Sequence, residues 1–120
     1  MDHKLVAETI LKQLGGNKFR MMTGAKVFSS HAPVAGSKGP ALSFMLPSRF
    51  AKNGINYVKI TLTPADTYDI TFSKIGPMPS MKRLLQGAQQ SLTVVAEVTD
   101  IYADQLQSTF TRHTGLDTHL

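Results

Sequence analysis

The sequence predicts an α+β domain of two layers, an antiparallel sheet of four to five strands with an N-terminal and a C-terminal helix on one face. Three observations predict it. Ile55 to Ile75 holds two alternating stretches joined by a turn signal, amphipathic helical patterns stand near both ends of the chain, and the alternating stretches follow one another at short spacing. Strands so close in sequence pair antiparallel, because parallel neighbours need a crossover of about a dozen residues or more. Two helices with one apolar stripe each need a surface to cover, and a meander with one apolar face supplies it.

The hairpin carries the strongest pattern. Val58, Ile60 and Leu62 oppose Tyr57, Lys59, Thr61 and Thr63, the two-residue period of a half-buried strand. Pro64-Ala65-Asp66-Thr67 then turns the chain, since proline fixes φ at the first corner and an aspartate can bond its own backbone. Tyr68, Ile70 and Phe72 against Asp69, Thr71 and Ser73 complete it.

From the N-terminus, Val6, Ile10 and Leu14, widened by Ala7 and Leu11, predict a helix over His3–Leu14 that Gly15-Gly16 ends. Lys18–Thr23 reads as a strand, with Phe19 and Met21 on one side and Lys18, Arg20 and Met22 on the other. The glycine-, serine- and proline-rich stretch 24–40, with Lys26, His31 and Lys38 embedded, reads as a flexible basic loop. Ala41–Leu46 is a strand ended by Pro47, and Asn53-Gly54 marks the turn into the hairpin. Residues 76–90 form an insert, irregular through Pro79 and then a short helix or flexible segment interrupted by Gly87. Ser91–Val98 alternates as a fifth strand. Thr99 or Asp100 is expected to cap a helix running to about His113 with Tyr102, Leu106 and Phe110 on its apolar side, Gly115 closing it and 117–120 fraying.

Size and composition narrow the function classes. A chain of 120 residues, 42% apolar and 18% charged, suits one folded domain over 1–120 and argues against wholesale disorder. With no cysteine, disulfides, thiolate metal sites and cysteine nucleophiles are excluded. The N-terminus has no continuous apolar run, so neither a signal peptide nor a membrane span is expected there, and a cytoplasmic protein is. Residues 1–60 hold nine Lys or Arg against two carboxylates, whereas residues 61–120 hold four against six. If the cationic half converges on one face, it attracts polyanions.

Catalytic chemistry finds little support. The four histidines lack the one-turn spacing of a metal site, and Ser29-Ser30-His31 offers a serine and a base in a loop with neither rigid placement nor an oxyanion site. Asp66, Asp69, Glu97, Asp100 and Asp104 can meet only through the fold, and no cofactor motif is present, since Gly36-Ser37-Lys38-Gly39 lacks phosphate-loop spacing. A small hydrolase or nuclease would need a cluster that spacing alone does not reveal. Binding is better supported. Lys18, Arg20, Lys26, Lys38 and Lys59 are the expected phosphate contacts, and Tyr57, on the polar side of its strand beside Lys59, is the expected stacking partner for a base.

Leu14-Gly15-Gly16-Asn17-Lys18-Phe19, Met22–Lys26, Leu42-Ser43-Phe44 with Leu46-Pro47, Asn56–Leu62, Asp66–Asp69 and Val98 through Tyr102–Leu106 to Thr114-Gly115-Leu116 together resemble a group of small uncharacterised phage and prophage proteins. The resemblance implies a cytoplasmic accessory of a mobile element, with no catalytic residue to carry over. The expected function is non-enzymatic binding of nucleic acid or a nucleoprotein. The alternative is a protein-binding inhibitor of a host defence system such as a CRISPR effector. No membrane partner is expected, and an exposed edge strand could pair across a homodimer.

Overall fold

Alternating apolar residues on the central strands dictate a sheet with one greasy side. In the computed structural model, which describes residues 3–33, 39–47, 51–77 and 79–116, five strands form one antiparallel sheet. They are β1 (Lys26–His31), β2 (Ala41–Met45), β3 (Tyr57–Leu62), β4 (Tyr68–Ile75) and β5 (Leu92–Ile101), and sequence order is also spatial order. The register runs Leu42, Ile60, Ile70, Val98 across one row and Phe44, Val58, Phe72, Ala96 across the next. Residues directly opposite share a face, so both rows look into the same core.

Onto that face fold α1 (His3–Leu14), α2 (Asn17–Thr23) and α4 (Leu106–Thr114). Phe19 of α2, Phe44 of β2 and Phe110 of α4 are each fully buried and touch pairwise, with centroids 5.3, 5.1 and 6.1 Å apart. Ile10 and Leu14 of α1 and Leu106 of α4 close the same core. The shortest dimension is 22 Å. A helix is about 10–12 Å across and packed layers lie about 10 Å apart, so that thickness holds one sheet and one layer of helices. The expected α+β arrangement, with the terminal helices on one side of an antiparallel sheet, is the arrangement found.

The hairpin turn behaves as its residues require. Asp66 takes a φ of 65°, the amides of Asp66 and Thr63 donate to Thr63 and Thr67 carbonyls at 3.0 and 2.9 Å, and the Thr63 and Thr67 hydroxyls meet at 2.9 Å. Asn53 and Gly54 both take positive φ, as their turn signal implies.

Three expectations are corrected. Lys18–Thr23 is helical rather than extended: Phe19 and Thr23, four apart, are buried, while Met21 is 83% exposed. The Thr23 hydroxyl donates to the Phe19 carbonyl at 2.7 Å, and Gly16 (φ 60°) and Gly24 (φ 71°) supply left-handed corners that bracket the turn of helix. The stretch 24–40 is not all loop, because Lys26–His31 forms β1; Val27 at φ 57° and a register shift after Lys26 break the alternation that would have revealed it. Finally, Thr99 and Asp100 cap nothing. β5 runs on to Ile101, Asp100 sits at φ 57° in a bulge, and a short turn over Ala103–Gln105 leads into α4. Lys38 and the tail 117–120 lie outside the described residues. Within the insert, a short α3 (Met81–Leu85) forms and buries none of its residues.

If α2 is a helix docked by Phe19, Phe19→Ala should cost about 3–5 kcal/mol, whereas Met21→Lys should change stability by no more than about 0.5 kcal/mol. Urea unfolding followed by circular dichroism checks both; an equal loss at Met21 would restore the extended reading.

Candidate nucleic-acid interface

With every long helix on the core side, the opposite side of the sheet carries the alternate residues of each strand and no described helix covers it. Register arranges that side in rows. Lys26, Met45, Tyr57 and Ser73 form one; Ser29, Ser43, Lys59, Thr71 and Glu97 the next; His31, Ala41, Thr61 and Asp69 the third. Tyr57, Lys59, Thr61 and Thr71 are half-buried, and the short Ala41, Ser43 and Ser73 between them are buried. Long side chains thus shade short ones, which gives a shallow surface with Tyr57 and Lys59 in its central strand. Two residues along a strand are about 7 Å apart, so the ring and the ammonium can engage neighbouring groups of one ligand.

Charge on this side is uneven. Lys26, His31 and Lys59 lie on β1–β3, while Asp69 and Glu97 lie on β4 and β5. Asp69 is buried and its Oδ1 accepts the Asp100 amide at 3.3 Å, which holds the β5 bulge. Next to Met45 lies a depression of about 470 Å³, also lined by Asn56, Lys74, Ile75 and Gln90. The Asn56 side chain is committed to the end of β4, accepting from the Ile75 amide at 2.7 Å and donating to its carbonyl at 3.0 Å.

The sequence-predicted site residues therefore divide. Lys26, Tyr57 and Lys59 share the helix-free side by register. Lys18 and Arg20 do not join them: both stand exposed on α2, and the Arg20 guanidinium lies 5.0 Å from the centre of the Phe28 ring, which packs toward Phe44 in the core. Sequence reasoning missed Met45, whose place depends on strand register, and weighed His31 only as a loop residue. His31 instead ends β1, with Nε2 and the Ser43 Oγ 2.7 Å apart. That serine is only 3% exposed and hence a poor nucleophile, and Asp69 stands three strands from His31, about 14 Å away at ordinary strand spacing. Among the described residues, no group of three or more His, Asp or Glu could hold a metal.

Burial holds the His31 imidazole below its ordinary value, and the positive charge of Lys59 and of His3 pushes the same way. A histidine whose folded pKa lies below its unfolded one binds fewer protons when folded, so stability rises with pH through that window and falls as pH drops from about 6.5. No protein-family model, curated protein or solved structure matches the chain, so the reading of this surface rests on its own residues.

Urea midpoints should therefore decline between pH 7.5 and pH 5, with part of the decline removed in His31→Gln. An NMR titration of the His31 ring should give a midpoint below about 6.5; a midpoint above it would show that an unrecognised acidic neighbour dominates.

Proposed function

We propose that the chain is a non-enzymatic nucleic-acid-binding accessory that holds single strands on the helix-free side of its sheet. The observation that carries this reading is the placing of Tyr57 and Lys59 two residues apart on the central strand of that side, with Lys26 in register on the edge strand. A base needs an unpaired face to stack on a ring, and a strand-borne aromatic flanked by lysines offers it with little sequence preference. A duplex presents no such face to a shallow sheet. The exposed Glu97 turns the polyanion away from the β5 edge, which favours the β1–β3 half. Lys18 and Arg20, on the helix layer, have no part in this contact.

Binding of a fluorescent oligonucleotide should weaken as salt rises, and removing Lys26 or Lys59 should each lower the slope of log affinity against log salt by about 0.7. Loss of base stacking in Tyr57→Ala should cost about 1–3 kcal/mol, while Lys18→Ala should leave affinity unchanged. Salt-insensitive binding, no binding at low salt, or dependence on Lys18 in place of Tyr57 would overturn the proposal.

A further inference from the structure

The two edges of the sheet are built differently. β1 is short, begins with Lys26 and is broken by Val27 at φ 57°, features that discourage pairing with another chain. β5 has ten residues, Leu92 to Ile101, with no lysine, proline or glycine and with Thr93, Val94, Val95, Val98, Thr99 and Ile101 all β-branched. Among the described residues it pairs only with β4, and its outer amides and carbonyls find no strand partner there. Along this edge and at its ends lie most of the exposed large apolar side chains among the described residues: Leu92 at 59%, Val94 at 55%, Met81 at 71%, Leu85 at 82% and Tyr102 at 62%.

We propose that β5 is the interface with a second copy of this chain, the two strands pairing antiparallel about a two-fold axis near Val95. Register singles out this geometry. An extra residue at Val95 and another at Thr99–Asp100 interrupt the ladder with β4. That leaves two regular runs, Leu92–Val94 and Ala96–Val98, and a two-fold axis at Val95 lays each run against the other in the second copy. Glu97 then faces Thr93. Parallel in-register pairing would instead set Glu97 against Glu97 and Asp100 against Asp100, a repulsive arrangement.

The ends complement each other as well. The Gly76 amide donates to the Ser91 carbonyl at 3.0 Å and closes the β4–β5 hairpin, so α3 lies beyond the start of β5. Antiparallel pairing carries that segment past the second copy's Thr99. The end of one copy that carries Lys82, Arg83, Met81 and Leu85 thus meets the end of the other that carries Asp100, Tyr102 and Asp104. An isologous contact requires one surface to complement itself, and this edge has a cationic, apolar end and an anionic, aromatic end in the opposed order that a two-fold axis needs.

Light scattering after gel filtration should give twice the chain mass of 13.1 kDa for the wild type, and the single-chain mass for Val94→Lys with an unchanged circular dichroism spectrum. Because the chain has no cysteine, Val95→Cys offers a second reading: it should form a disulfide-linked pair on mild oxidation, whereas Ser108→Cys on exposed α4 should not. A wild type that stays monomeric up to its highest soluble concentration, a dimer that survives Val94→Lys, or equal cross-linking at both cysteine positions would overturn the proposal.

Discussion

The contact of Phe19, Phe44 and Phe110 is the constraint from which the rest of the molecule follows. One ring comes from the second helix, one from the second strand and one from the last helix, so a single aromatic cluster pins separate parts of the chain to the same face. Edge-to-face packing of such rings adds about 0.5–1.5 kcal/mol per pair to what burial alone contributes. Phe28 leans on Phe44 from the edge strand, and the His113 ring, in the last turn of the last helix, stacks on Phe72 at 4.9 Å. With every long helix drawn to this side, no described helix covers the other.

What that leaves is a face whose chemistry is set by strand alternation. At the centre of that face Tyr57, Lys59, Thr61, Ser43 and Thr71 point away from the core, all able to hydrogen-bond and only one of them charged. The Ser43 hydroxyl meets the His31 ring at 2.7 Å, while the Tyr57 ring and the Lys59 ammonium stand half-buried on the central strand. Carboxylates gather on the far strands, and one of them, Asp69, is occupied in fixing a bulge. The face is thus polar but directional, cationic toward the first strand and anionic toward the last.

Legibility in the sequence tracked how strictly each segment kept its period. The hairpin around Asp66 and the helix His3–Leu14 were legible because nothing interrupted their repeats. Phe19-Arg20-Met21 misled because three residues fit either period, and only the burial of Thr23 and the exposure of Met21 decide between them. Lys26–His31 was hidden by Val27, whose positive φ sets the alternation aside in an already polar edge strand. The continuation of the last strand to Ile101 was hidden for the same reason, since two extra residues in a ladder scramble a two-residue pattern. Of the site, Tyr57 and Lys59 were legible from alternation alone. The separation of Lys18 and Arg20 from them was not, because it depends on which secondary structure those two residues adopt.

The proposed working surface is the side of the sheet the helices leave bare. The most direct measurement is a map of backbone amide shifts in the isotope-labelled protein as a short single-stranded oligonucleotide is added at low salt. The largest changes should fall on Ser43, Tyr57 and Lys59 and on the start of the first strand. Changes confined to the first, second and last helices, or none at saturating oligonucleotide, would contradict it.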